Sequence, residues 1–325
     1  MELENGYSII MYRNCYVYKH KVIVKNDFNS DILKNIYDVI IKHNAKHLIF
    51  SSCESIYSEL YHDYSKDLKD LKDSEDSEDS EDKPENHRLC EESKFNKLIK
   101  NLPQNIIHLT LNNKFNKPID NLSKTLTNLI FGENFNQCVD NLPQTLIKLT
   151  FDFSFNQTVN NLPIQLQNIT FGTKFNKPVN NLPQSLQNIT FGSNFNQHVD
   201  NLPQSLQNIT FGENFNYSVD NLPNEIQIIN FGDEFNCTVD NLPPALKKLT
   251  FGDNFNQHVD NLPQSLKNLT FGYNFNQSVN YLPSNLKNLT FGYSFNQPIN
   301  NLINSICQIK LHKSYDKYNK IKKLI

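Results

Sequence analysis

The chain of 325 residues has no tryptophan, only two alanines (Ala45 and Ala245) and only two arginines (Arg13 and Arg88). This skew towards Asn, Ile, Lys and Tyr follows an AT-rich coding sequence and says nothing about fold. Long apolar runs are missing: no stretch approaches the roughly 18 residues that a membrane-crossing helix needs. Met1–Tyr12 lacks the basic-then-apolar pattern of a secretory leader. The expectation is an intracellular, cytoplasmic protein with no membrane partner. Close cysteine pairs are missing as well. Cys15, Cys53, Cys90, Cys138, Cys237 and Cys307 are scattered, which argues for reduced thiols over a disulfide framework. Basic charge is not in excess, with 31 Lys and Arg against 34 Asp and Glu. A nucleic-acid binder needs a basic face, so no nucleic-acid partner is expected.

Glycine is scarce too, and its placement opens the sequence. Of nine glycines, eight occupy one column: Gly132, then every twentieth residue from Gly172 to Gly292. From Phe95 to Phe295 the dipeptide Phe-Asn keeps the same beat, recurring every 20 residues eleven times. A fixed period of this length marks one structural unit stacked on itself, a solenoid.

One rung, residues 201–220, reads NLPQSLQNITFGENFNYSVD. Leu206-x-x-Ile209-x-Phe211 matches the L-x-x-L-x-L element of a leucine-rich coil, whose alternate residues point inward. Thr210 then faces out, in a threonine column that would run along a parallel sheet. Gly212 and its equivalents, replaced by Asn112 and Asp152, are expected to turn with a left-handed φ. Pro203 begins the approach to the next strand. The invariant Asn after Phe is expected to point inward and bond the backbone of neighbouring rungs as a ladder. The fold class is therefore a β-rich repeat solenoid, leucine-rich-repeat-like, with 20-residue coils and a parallel β-sheet on one face.

Four regions follow. Residues 1–62 balance seven acids against seven bases and read as an α/β N-terminal cap. In it Tyr16–Val24 suits a strand or hairpin, residues 30–43 suit a helix, and Ala45–Phe50 resembles the strand of a rung. Residues 63–92, with SEDSEDSED, carry 13 acids and five bases and read as a disordered linker. Residues 93–311 hold about eleven rungs. Residues 312–325, with Tyr315, Tyr318, Ile321 and Ile325 at helical spacing among lysines, suggest a basic C-terminal capping helix.

FNKPI at Phe115–Ile119, FNKPV at Phe175–Val179 and FNQPI at Phe295–Ile299, each followed by Asp or Asn and then Asn-Leu, resemble the FNIP repeat. That family is allied to leucine-rich repeats and is abundant in social amoebae and the giant viruses that infect amoebae; for a viral member, the host cytoplasm is implied. Two departures stand out. Most rungs here carry Ser, Thr, His or Cys in place of the motif's Pro, and the period of 20 is shorter than in many amoebal members. Relatives often carry an F-box, but residues 1–62 lack prolines and are rich in Tyr and β-formers, so a ubiquitin-ligase adaptor role finds no support in them.

Catalytic chemistry is not suggested. His198 and His258 share a column but stand three rungs apart, roughly 15 Å by strand spacing, too far to share a metal. No phosphate loop and no nucleophile–base pattern occurs, and the neighbouring carboxylates of Asp233 and Glu234 fall on a turn. The expectation is no catalytic residue, no metal and no cofactor. The variable positions flank the threonine column, and Tyr273, Tyr293, Lys247, Lys267 and Lys287 stand out there as candidate contacts for a protein partner. The expected function is a non-catalytic protein–protein interaction scaffold. The alternatives are a structural repeat protein without a specific ligand and a substrate adaptor of a ubiquitin ligase.

Overall fold

Short strands form wherever Leu or Ile alternates with half-exposed polar residues before a Phe, because alternate side chains then reach a shared core. The computed structural model describes residues 10–11, 15–18, 21–24, 36, 38–50, 96, 99, 102–120, 122–299, 302 and 306–315. The linker expected over residues 63–92 lies outside these. The chain divides into two compact units, one of residues 1–117 and 121–135, the other of residues 118–120 and 136–325.

In the first unit, β1 (Ile10–Met11), β2 (Cys15–Tyr18) and β3 (Lys21–Val24) are antiparallel neighbours, and β2–β3 is the expected hairpin. Strand β3 then pairs in parallel with β4 (His47–Phe50), β4 with β5 (His108–Thr110), and β5 with β6 (Asn128–Ile130). Between β3 and β4, residues 36 and 38–42 are helical and bury Ile36, Val39 and Ile40. Asn44 ends this helix with a left-handed φ of 46°. Its N–H donates to the Ile41 carbonyl at 3.1 Å and that of Ala45 to Ile40 at 3.0 Å, the paired closure of a Schellman cap. The segment resembling a rung strand, Ala45–Phe50, does become the parallel partner of the first repeat strand.

The second unit is repetition. Strands β7 (Lys148–Thr150), β8 (Asn168–Thr170), β9 (Asn188–Thr190), β10 (Asn208–Thr210) and β11 (Ile228–Asn230) stack in parallel. They are followed by β12 (Lys248–Thr250), β13 (Asn268–Thr270), β14 (Asn288–Thr290) and β15 (Gln308–Lys310). Each pairs in register with the residue 20 positions on, as Ile209 does with Ile229. Inside the coil, Leu202, Leu206, Ile209, Phe211, Phe215 and Val219 are at most 3% exposed. The two Phe columns zip together: Phe211 stacks on Phe215 within its rung at 3.9 Å, while Phe211 and Phe231 stack between rungs at 5.4 Å.

Two details of the rung differ from expectation. The glycine column turns without a left-handed φ. Glycine is needed for a close approach: a Cβ on Gly212 would lie 2.0 Å from the Gly192 carbonyl oxygen. The other concerns the Asn ladder, which forms as expected but is half-exposed or exposed along its length. Asn196 Oδ1 accepts the Asn216 N–H at 3.0 Å, and the same bond recurs from Asn156 to Asn296 at 2.9–3.0 Å. The ladder ties rungs together at the corner after Phe, where water reaches one side. A second ladder joins Asn141, Asn161, Asn221, Asn241 and Asn261 to the Asp one rung earlier, as from Asn221 to Asp200 at 3.1 Å.

Candidate interaction surface

The residue after each glycine lies at the apex of the turn that Gly and Phe close, as in Phe215 N–H to the Gly212 carbonyl. Its side chain is therefore released from the core, and the column varies: Thr173, Ser193, Glu213, Asp233, Asp253, Tyr273, Tyr293. Tyr273 and Tyr293 stack with ring centroids 4.8 Å apart and planes within 8°, and are 47% and 48% exposed. Asp253 Oδ1 accepts the Tyr273 N–H at 3.0 Å, which fixes the start of the stack. His312 extends it, its ring tilted 54° to that of Tyr293 at 5.0 Å.

Lys247, Lys267 and Lys287 occupy the position just before each strand and are exposed. Lys267 N–H donates to the Lys247 carbonyl at 2.9 Å and Lys287 N–H to that of Lys267 at 2.8 Å, so the three are in register. The structure thus brings the two tyrosines together and aligns the three lysines. It keeps the two sets at opposite ends of their strands.

Sequence reasoning missed the end of the array. The helix expected over residues 312–325 does not begin at 312: residues 312–315 form another rung turn, and residues 316–325 lie outside the described residues. Tyr315 occupies the next Phe position, stacks on Phe295 at 6.0 Å, is 3% exposed and donates its hydroxyl to the Gln297 carbonyl at 2.9 Å. The 20-residue offset from Phe295 was the available signal. A helical spacing of apolar residues competed with it.

Other reactive groups are quiet. His47 and His108 stand side by side on β4 and β5, their ring centroids 5.4 Å apart. Burial first, then His108 and Lys21, push the His47 pKa down to about 4; burial lowers that of His108 as well. The Cys138 thiol is raised by its hydrogen bond to Asp140 and that of Cys237 by burial, so neither is poised as a thiolate. Among the described residues, no three His, Cys, Asp or Glu side chains gather as a metal group. No helix there is long and apolar enough to cross a membrane.

Stacked coils of about 20 residues, with parallel strands on one face and a Leu/Ile/Phe interior, define a leucine-rich-repeat-like solenoid. The chain belongs to the FNIP repeat family: the family model, described as FNIP Repeat, matches in overlapping stretches from residue 115 to residue 314. Among solved structures it is similar to CroV588, described as a novel circular leucine-rich-repeat protein. The identity is 38% over 67% of this chain and 42% of that one, with a TM-score of 0.56. YopM from Yersinia enterocolitica WA-314 matches at 18% identity over 65% of this chain and 45% of that one, with a TM-score of 0.44. The chain thus spans less than half the length of either structure. No curated protein matches it.

Proposed function

We propose that this chain is a non-catalytic scaffold that binds a protein partner through the variable flanks of its C-terminal strands, with Tyr273, Tyr293, Lys247, Lys267 and Lys287 in contact. Leucine-rich-repeat-like solenoids commonly serve as interaction scaffolds, and repeat families of this kind are typically non-enzymatic. The observation that carries the reading is the exposed Tyr273–Tyr293 stack. Tyrosine supplies large, rigid contact area and is enriched at binding hot spots. Two such rings held against each other lose little further freedom on binding.

The test is affinity capture from a lysate of the source cell. A stoichiometric partner that is retained by the parent chain and lost with Tyr273→Ala plus Tyr293→Ala supports the scaffold. If nothing is retained, or the double variant retains the partner as the parent does, this surface is not the contact. A repeat protein with no specific ligand then describes the chain better.

A further inference from the structure

The column before the strands changes chemistry along the second unit: Ile147, Gln167, Gln187, Gln207, Gln227, then Lys247, Lys267 and Lys287. Four successive glutamines show what the scaffold itself accepts there, an uncharged residue that neither repels nor attracts its neighbours. Three lysines in the same column are a different matter. Their backbone bonds set them one strand spacing apart, about 4.8 Å. Like charges directly opposite on paired strands lower stability.

The repulsion is not relieved locally. Lys247 Nζ donates to the neutral Gln227 Oε1 at 2.7 Å. Among the described residues, Lys267 and Lys287 have no carboxylate at ion-pair distance. Lys248 at the start of β12 and Lys310 at the end of β15 are exposed and add to the positive charge of these strands. Residues 245–310 hold five lysines against two carboxylates, Asp253 and Asp260, and Asp253 is already bonded to the Tyr273 backbone. An arrangement that costs the fold and is left uncompensated within it suits a charge supplied from outside.

We propose that this lysine file is the docking site of a short, extended acidic segment of the protein partner, its carboxylates set against Lys247, Lys267 and Lys287. The inference rests on the scaffold reading and adds the partner's chemistry. An extended peptide places same-side residues about 6.6 Å apart, and flexible lysine stems can span the difference from the rung spacing. A nucleic acid fits less well. Its longer backbone would run past the file onto the preceding rung, which carries Asp233, Glu234 and Asp240, and the file contains no arginine.

The test is fluorescence anisotropy of a labelled oligoglutamate peptide with the purified full chain, at low and at physiological salt. The expected result is salt-sensitive binding that drops by about tenfold or more in Lys267→Gln plus Lys287→Gln, the loss typical of removing facing charges. These substitutions install the residue of the four preceding rungs, so the thermal midpoint should stay level or rise. That readout separates lost binding from lost folding. Unchanged peptide binding by the Gln variant overturns the proposal, as does tighter binding of a labelled oligothymidylate of equal charge. If the peptide does not bind while the captured partner still depends on Tyr273 and Tyr293, the acidic assignment falls and the scaffold reading stands.

Discussion

At the residue scale, glycine is chosen here for what lies beside it. A left-handed turn would tolerate Asn or Asp; a contact of 2.0 Å between a new Cβ and the carbonyl below tolerates no side chain without a shift of backbone. Gly212→Ala should therefore destabilise the second unit by about 1–3 kcal/mol or more, as overpacking does, read as a lowered denaturant midpoint with an unchanged slope. An unchanged midpoint would mean the rungs part easily at this corner. Asp152 shows the limit of the requirement. It heads the glycine column of its unit, is exposed, and turns its carboxylate to the Phe153 N–H at 2.7 Å.

At the scale of the element, the strand and its two corners were legible because three independent periods coincide: Leu/Ile before Thr, Gly after Phe, Asn after Phe. The alternation placed Ile209 inside and Thr210 outside, and both are found so. The strand ahead of the array was legible for the same reason, since Ala45–Phe50 repeats the alternation once. What could not be read was proximity between columns. Nothing in the spacing of Tyr273 and Tyr293 distinguishes stacked rings from two separate ones, and nothing in residues 47 and 108, with 60 residues between them, announces that their rings meet. That histidine pair has a consequence for pH. His47 is held neutral when folded, with its pKa near 4 against an ordinary value of 6.5, so the unfolded chain binds the extra proton first. Its contribution to stability is complete above pH 6.5 and is lost as pH falls towards 4. Amide exchange in β4 and β5 should speed up across that window beyond the intrinsic change. His47→Asn should remove the excess, whereas an excess that persists in the variant would assign the effect to other groups.

At the scale of the whole molecule, a repeat array is stabilised mainly by its nearest-neighbour interfaces, so an end coil, with one neighbour, is the first to open. Tyr315 carries the Phe295 column one place further and buries its own ring there. Tyr315→Ala should cost about 3–4 kcal/mol locally and raise amide exchange around β14 and β15 while β8 to β10 stay protected. Tyr315→Phe keeps the stack and should lose about 1 kcal/mol, the worth of one hydrogen bond. Uniform loosening of all the rungs would show instead that the array unfolds as one body. The ladders add a direction to this picture. Asn216 donates to Asn196, Asn221 to Asp200, Ser205 to the Leu186 carbonyl and Gln197 to Asn176, each time from a later rung back to an earlier one. Asn113 to Glu133 runs the other way, and so does the backbone after each strand, where the Phe211 N–H donates forward to the Asn230 carbonyl at 2.8 Å. A chain leaves the ribosome N-terminus first. The side-chain ladders of each emerging coil therefore find their acceptors already in place, while its Phe N–H waits for the carbonyl of the coil that follows.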